Sequence, residues 1–270
     1  MTEVLTTKHV TFVANVNDKL VLEKNLMISP CFNTPHPHQL VLQKNFDSAA
    51  KAYNDALSKS VNDLVVFAHQ DIIFPSGWLS QLEDSIRLLA TKDPNWGVLG
   101  IFGKTSNGEE AGYVYSTGLG IIGDPLEGPK QVQTLDEIVL ILRKSSGLKF
   151  DERLPHFHFY GADICLAAQK KGMQSYAIPA FCIHNTQFNL VMPSEFYASY
   201  TALKTIWKEY VPVHTTCIRV TKFNLDVYRR RLNEINLRLR RKTVGALRQE
   251  DSYRLLREFE KPDANPSTES

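Results

Sequence analysis

Apolar positions along the chain follow two alternating rhythms. Compact apolar runs at 9–14, 39–43, 64–68, 97–103 and 138–142 have the length and β-branched content of buried strands. Between them the spacing changes to three and four. Ala49, Ala52, Tyr53, Ala56 and Leu57 form one helical stripe, which Asp47 or Ser48 can cap, and Trp78, Leu79, Leu82, Ile86 and Leu89 form a second after Pro75-Ser76. Asp93-Pro94-Asn95 ends that second helix. Further on, the pattern predicts a helix at 162–171 stopped by Gly172, a strand at 175–179, helix from 193 to about 210, and a last helix from Asn224. The glycine-rich stretch 104–130 reads as hairpins or a mobile loop, and 261–270 as a disordered tail. Strands alternating with helices predict an α/β fold with a Rossmann-like, mostly parallel central sheet flanked by helices, plus a C-terminal helical extension.

In such sheets ligands bind beyond the carboxyl ends of the strands. Asn15, Asn45 and the triplet His69-Gln70-Asp71 all stand at strand ends of that kind, so one shared crevice is expected. An acid at that edge suits a divalent cation and its phosphate ligands, and a neighbouring imidazole is tolerated by a Mn²⁺-like ion. Taken alone, Asp71 reads first as the cap of a loop.

The chain has 270 residues, 43% of them hydrophobic and 22% charged, enough for a full core. Its net charge of +2 hides an asymmetry: positions 222–248 hold nine Lys/Arg against two Asp/Glu, so the remainder is mildly acidic. Cys31, Cys165, Cys182 and Cys217 are scattered singly, which fits a reducing compartment. The start MTEVLTTKHV lacks a charged segment followed by an apolar one, so no signal peptide is expected. No apolar run reaches the ~18 residues of a membrane span. The expected location is cytoplasmic, peripheral at the inner face of the membrane if the basic tail binds lipid.

Several ordered motifs resemble family 2-like glycosyltransferases of the GT-A fold. Val66-Phe67-Ala68-His69-Gln70-Asp71 is similar to that family's strand-end Asp-x-Asp motif, with His in the first place. Ala52-Tyr53-Asn54-Asp55-Ala56-Leu57 resembles its Ala-Arg-Asn-x-Gly-Ile helix, with Tyr53 replacing the Arg. The segment Val132-Gln133-Thr134-Leu135-Asp136-Glu137 and the block from Phe150-Asp151-Glu152 to Cys165-Leu166 resemble a subgroup named for a streptomycin-biosynthesis protein domain. The likeness spans about residues 9–190. It implies a GT-A-like domain over 1–200, a basic helical extension over 201–260 and the tail 261–270.

What the resemblance implies about chemistry is metal-dependent transfer of a sugar, with inversion, from a nucleotide-sugar donor to a saccharide, lipid-linked or protein acceptor. Asp71 would bind Mn²⁺ or Mg²⁺, His69 would face the ribose or help hold the ion, and His184 stands where several relatives place a late metal-binding His. Asn15, Asn45 and Gln70 would line the nucleotide pocket, with Tyr53 and Asn54 nearby. The family's acidic pair falls at Tyr160-Gly161, so the usual base is missing from its usual slot. Asp163, opening a helix, is the first replacement candidate, and its bland alternative is a helix cap. Asp136 is the second, with a strand-entry turn as its alternative.

Two rival readings stay open: a metal-dependent hydrolase or nucleotidyltransferase using Asp71 and His184, and a non-catalytic sugar-nucleotide-binding or scaffold module. Gly118-Leu119-Gly120-Ile121-Ile122-Gly123 has the letters of a dinucleotide loop, but Asp124-Pro125 follows in place of an apolar helix. Pro35-His36-Pro37-His38 reads as a rigid loop. On the basic helix, Leu225, Tyr228, Leu232, Ile235 and Leu239 repeat at three and four, which suits self-association, an anionic membrane surface, or docking on its own domain. Nucleic acid is not expected, because no aromatic platform is interleaved with the arginines.

Overall fold

The computed structural model describes residues 7–33 and 38–260; the Pro35-His36-Pro37 stretch and the tail expected at 261–270 lie outside them. β1 (Thr11–Asn15), α1 (Lys19–Lys24), β2 (Gln39–Gln43), α2 (Ala49–Lys59) and β3 (Leu64–Ala68) open the chain. β1 pairs in parallel with β2 on one side and β3 on the other. Ser48 caps α2 by accepting from the Lys51 N–H at 3.4 Å. Its Ala49, Ala52, Tyr53 and Ala56 face is buried, as the sequence spacing predicts.

β3 is buried along its whole length. Val65 and Phe67 enter one apolar cluster with α2, whereas Leu64, Val66 and Ala68 enter another on the opposite face. That two-sided burial is why LVVFA carries no polar alternation. After β4 (Ile72–Ile73), α3 (Trp78–Lys92) covers the second face with Trp78, Leu82, Ile86 and Leu89.

The apolar run at 97–103 is not one strand. It divides into β5 (Val98–Gly100) and β6 (Phe102–Lys104), which belong to different sheets. Gly103 permits the change of partner, since a Cβ there would lie 2.3 Å from the Thr134 carbonyl oxygen. The glycine-rich stretch holds a hairpin of β7 (Glu110–Ser116) and β8 (Gly120–Asp124), so the glycines of the GxGxxG lettering serve a turn and a strand. β9 (Lys130–Val132), β10 (Thr134–Leu135) and β11 (Val139–Arg143) follow, then α4 (Tyr160–Lys170) and β12 (Ser175–Ala177).

The main sheet has the order β2-β1-β3-β11-β5-β12-β9 and is mixed. β11 runs antiparallel to both β3 and β5, and β9 antiparallel to β12. Between β5 and β11 the chain runs through β6 to β10 with no helix, so β11 enters beside β5 without the helical crossover that a parallel neighbour requires. β13 (Ile183–His184) pairs with β4 and β7 in a second sheet of order β10-β6-β7-β13-β4.

β14 (Phe188–Asn189) leads to α5 (Ser194–Ile206), whose Phe196, Tyr200 and Leu203 join the cluster of α2 and α4. β15 (Val213–His214) and β16 (Arg219–Val220) form a small hairpin before α6 (Leu225–Leu239). β17 (Val244–Ala246) then pairs back onto β14, and α7 (Ser252–Glu260) packs Leu255 and Leu256 against Ile73 and Ile183. The C-terminal segment thus returns beneath the edge of the sheet.

Candidate functional site

The carboxyl ends of β1, β2 and β3 open on a cleft of about 670 Å³, lined among others by Asn15, Gln43, Lys44, Asn45, Tyr53, His69, Gln70, Asp71 and Tyr160. The shared crevice read from the strand ends is therefore present. Asn45 adopts a left-handed backbone (φ 62°) at the turn after β2, which suits Asn better than a branched residue. The Asn15 side-chain N–H₂ is buried at the cleft wall and faces the Tyr53 phenol without reaching full hydrogen-bonding geometry among the described residues. Such a donor at a cleft wall fits a ligand carbonyl, because leaving it unpaired costs ~1–3 kcal/mol.

Gln70 folds over the β1–α1 connection. Its carbonyl accepts from the Asn17 and Asp18 N–H groups at 3.2 Å each, and its amide donates to Asn17 Oδ1. Tyr53 is enclosed among Phe67, Phe150 and Tyr160, with ring centroids 4.6, 5.4 and 5.3 Å away. A phenol in that aromatic nest makes a wall of the cleft and supplies no cation where the family motif has Arg. Asn54 is not brought to the cleft. It faces the other way and pins the loop after β11, accepting from Phe150 N–H at 3.0 Å and donating to Phe150 O and Glu152 Oε1.

Register brings the metal candidates together. His184 lies opposite Ile72 in the β13–β4 pair, and the Asn185 N–H donates to the Asp71 carbonyl at 2.9 Å. One ligand atom each from His69, Asp71 and His184 lies within 4.8 Å of the others. His184 Nε2 is 3.4 Å from Asp71 Oδ1, and Arg248 donates to Asp71 Oδ2 at 3.0 Å. Burial alone would raise the Asp71 carboxyl; the charges of His184, His69 and Arg248 and the His184 hydrogen bond outweigh it and hold the group well below the usual carboxylate range. Burial also pulls the His69 imidazole down, and Tyr160 Oη stands 2.7 Å from its Nε2. An ionised carboxylate beside two imidazoles fits a divalent ion of the Mn²⁺ kind more closely than Mg²⁺, which prefers oxygen throughout.

Asp163 does not reach the cleft. It is fully buried, and its oxygens are already used: Oδ2 accepts from the Asp151 N–H and Oδ1 from the Trp207 indole, both at 2.8 Å. Burial pushes its carboxyl up to about 6 against those two hydrogen bonds. The helix-start position that suggested a base is taken up by tying the Phe150–Leu154 loop and Trp207 to α4.

Another carboxylate stands against that helix start. A Cβ on Gly161 would lie 2.5 Å from the Leu135 carbonyl and 3.3 Å from Glu137 Cγ. The slot where the family carries acid is thus filled from the β10–β11 connection by Glu137. Burial, then the neighbouring Asp136, push the Glu137 carboxyl up to about 8, although backbone N–H groups of Phe159 and Gly161 oppose the shift. Tyr160 Oη links the two parts of the site, donating to Glu137 O at 3.1 Å while facing His69. Asp136 is engaged by the Thr216 hydroxyl at 2.5 Å and the Ile138 N–H at 3.2 Å.

Glu137 and Arg248 were not singled out from the sequence. Glu137 was legible as the second acid of the Asp136-Glu137 pair. Arg248 carries no local signal, because it arrives from 177 positions away. The clip that delivers it is Asn185, fully buried, which donates to Asn25 Oδ1 and Gln249 O and accepts from Gln249 N–H.

Residues 11–210 match the protein family described as "Glycosyltransferase like family". A region of 126 residues is 30% identical to "ATP synthase subunits region ORF 6" of Fuscovulum blasticum, covering 45% of this chain and 50% of that protein. The chain therefore spans about half the length of that relative. Among solved structures, GalNAc-T7 with UDP, GalNAc and Mn²⁺ superposes with a TM-score of 0.48 at 10% identity, over 68% of this chain and 44% of its own. A mannosyltransferase from Pyrobaculum calidifontis in complex with GDP-Man and Mn²⁺ gives a TM-score of 0.41 at 15% identity, over 64% and 56%.

Proposed function

From the premise that the chain belongs to the glycosyltransferase-like family, we propose that it transfers a sugar from a nucleotide-sugar donor to an acceptor hydroxyl, with inversion. The observation that carries this reading is the meeting of His69, Asp71 and His184 beside a cleft lined by Asn15 and Asn45. Asn15, Asn45 and the Gln70-braced loop would hold the nucleoside. A divalent cation, held by Asp71, His184 and His69, would neutralise the departing diphosphate.

Lys44 lines the same cleft, as does Lys19 while pairing with Glu23 at 3.2 Å, and Arg248 sits at Asp71, so positive charge would stand near the leaving group. The acceptor oxygen bonds to the anomeric carbon as the carbon–diphosphate bond breaks, and the acceptor proton passes to a carboxylate. We assign that proton to Glu137, which lines a small neighbouring pocket with Thr216 and Cys217 and is joined to the cleft through Tyr160, with Asp136 as the neighbour that keeps its basicity high. A lipid-linked acceptor is the version that the exposed apolar and basic C-terminal helix favours.

The test is thermal stabilisation by UDP-, GDP-, CMP- and dTDP-sugars with and without Mn²⁺, followed by product analysis. Stabilisation by one nucleotide class only with metal, and transfer of its sugar, is expected. Release of free sugar with no transfer to any acceptor would favour a hydrolase, and no response to any donor would remove the reading.

A further inference from the structure

α6 carries two faces of opposite purpose. Val227, Arg230 and Glu234 face the protein. Glu234 accepts from the Met192 N–H at 3.0 Å and pairs with Arg230 at 3.3 Å, and Arg230 donates to the Cys217 carbonyl at 3.0 Å. Arg230 and Arg231 also lie over the rings of Phe196 and Tyr197, at 5.3 and 4.4 Å. These polar and cation–aromatic contacts hold the helix on the body.

At ~100° of rotation per residue, Leu225, Tyr228, Leu232 and Leu239 fall on the side turned away from that contact, and Ile235 stands at the stripe's margin, bordering a groove against Met192 and Tyr197. All five are exposed, Leu232 by 64% and Leu239 by 78%, and Phe223 just before the helix by 73%. Val244 and Leu247 continue the exposed apolar character past the helix. An apolar stripe on a docked helix is ordinarily the docked side; here it is the solvent side, so it awaits a partner.

The charges beside the stripe decide which partner. The same rotation places Arg231 and Arg238 along one flank and Arg229 and Arg240 along the other, with Arg241 and Lys242 at the end. Among the described residues, Arg229, Arg238, Arg240, Arg241 and Lys242 make no ion pair. The acids of α6 are spent, Asp226 on Arg219 at 3.1 Å and Glu234 on Arg230. A second copy of the helix would therefore set arginine rows against arginine rows with no acid from either helix between them. An anionic lipid surface supplies what both features lack: an apolar interior for the stripe and phosphates at the depth of the flanking guanidinium groups.

We propose that α6 seats the protein on an anionic lipid surface, apolar stripe inward and both arginine rows at the headgroups. No helix among the described residues is long and apolar enough to cross a membrane, so the attachment is peripheral. Because β17 and Arg248 follow α6 directly, the attachment sets the candidate cleft close to the lipid.

The whole chain should sediment with vesicles of phosphatidylcholine containing about a third phosphatidylglycerol and not with phosphatidylcholine alone. Binding should weaken tenfold or more between ~0.1 and ~0.5 M salt. Leu232→Glu/Ile235→Glu and, separately, Arg229→Glu/Arg240→Glu should each weaken it by at least about tenfold, with circular dichroism and melting temperature unchanged because the side chains are exposed. Folded wild-type protein that ignores anionic vesicles would overturn the proposal. So would a dimer, seen by light scattering, that Leu232→Glu/Ile235→Glu dissociates while vesicle binding is absent, since a second copy would then cover the stripe.

Discussion

Asp71 and Asp163 are both enclosed acids at element boundaries, 7% and 0% exposed, yet their surroundings pull them apart. Asp71 stands between β3 and β4 among His184, His69 and Arg248, and burial loses to those charges. Asp163 in the first turn of α4 meets only neutral donors, the Asp151 N–H and the Trp207 indole, and burial wins. Burial alone thus does not set the state of an enclosed acid. What marks Asp71 is an excess of positive or metal-ready groups over the needs of one carboxylate, facing an open cleft.

The largest effect should come from the β3 end. Asp71→Ala should cost at least ~100-fold in Mn²⁺-dependent nucleotide affinity, the loss that even outer metal-site partners produce, with the fold retained by circular dichroism. Next, Glu137→Gln should lower turnover by roughly two to four orders of magnitude while donor affinity holds. Wild-type turnover should rise with pH through about 8 as Glu137 ionises, and the variant should lose that limb.

The α4 start should behave as a stability element. In Asp163→Asn, one amide cannot accept from both N–H groups, so unfolding free energy should fall by about 1–3 kcal/mol with turnover nearly intact. Denaturant unfolding across pH gives a second check. The folded-state value near 6 lies above the ordinary 3.8, so the folded chain binds the proton more tightly. That stabilisation is complete below the ordinary value, fades as pH rises, and is gone above about 6, a span of up to about 3 kcal/mol. Asp163→Asn should flatten it.

The smallest effect concerns Arg248, whose side chain is partly exposed. Arg248→Met should lower stability by ~1 kcal/mol without metal, by leaving Asp71 short of one partner. Mn²⁺ should restore it, whereas a deficit that persists with Mn²⁺ would make Arg248 a purely structural contact.

The β1–β3 side of the cleft was legible because it is local. Asn15, Asn45 and His69-Gln70-Asp71 each follow an apolar run, and strand ends of a mostly co-directional sheet share an edge. His184 was reachable through the family likeness, and its pairing with the Asp71 region follows from β13 lying against β4. The other side depends on contacts that no periodicity encodes. The surroundings of Asp163 are not legible because a helix-start acid looks the same whether it faces a crevice or an indole 44 residues later. Asn54 shares a helix with Tyr53 but turns outward by one residue's rotation, and the division of 97–103 between two sheets rests on close backbone approach at Gly103. Arg248 is delivered by the Asn185 clip across the whole fold.

Calorimetric titration of the preferred nucleotide diphosphate into wild type, Asp71→Ala and Asp163→Asn, each with and without Mn²⁺, separates the two acids directly. Binding that needs Mn²⁺ in wild type and Asp163→Asn and disappears in folded Asp71→Ala is predicted. Mn²⁺-dependent binding that survives Asp71→Ala, or is lost in folded Asp163→Asn, would contradict the placement of the site at the end of β3.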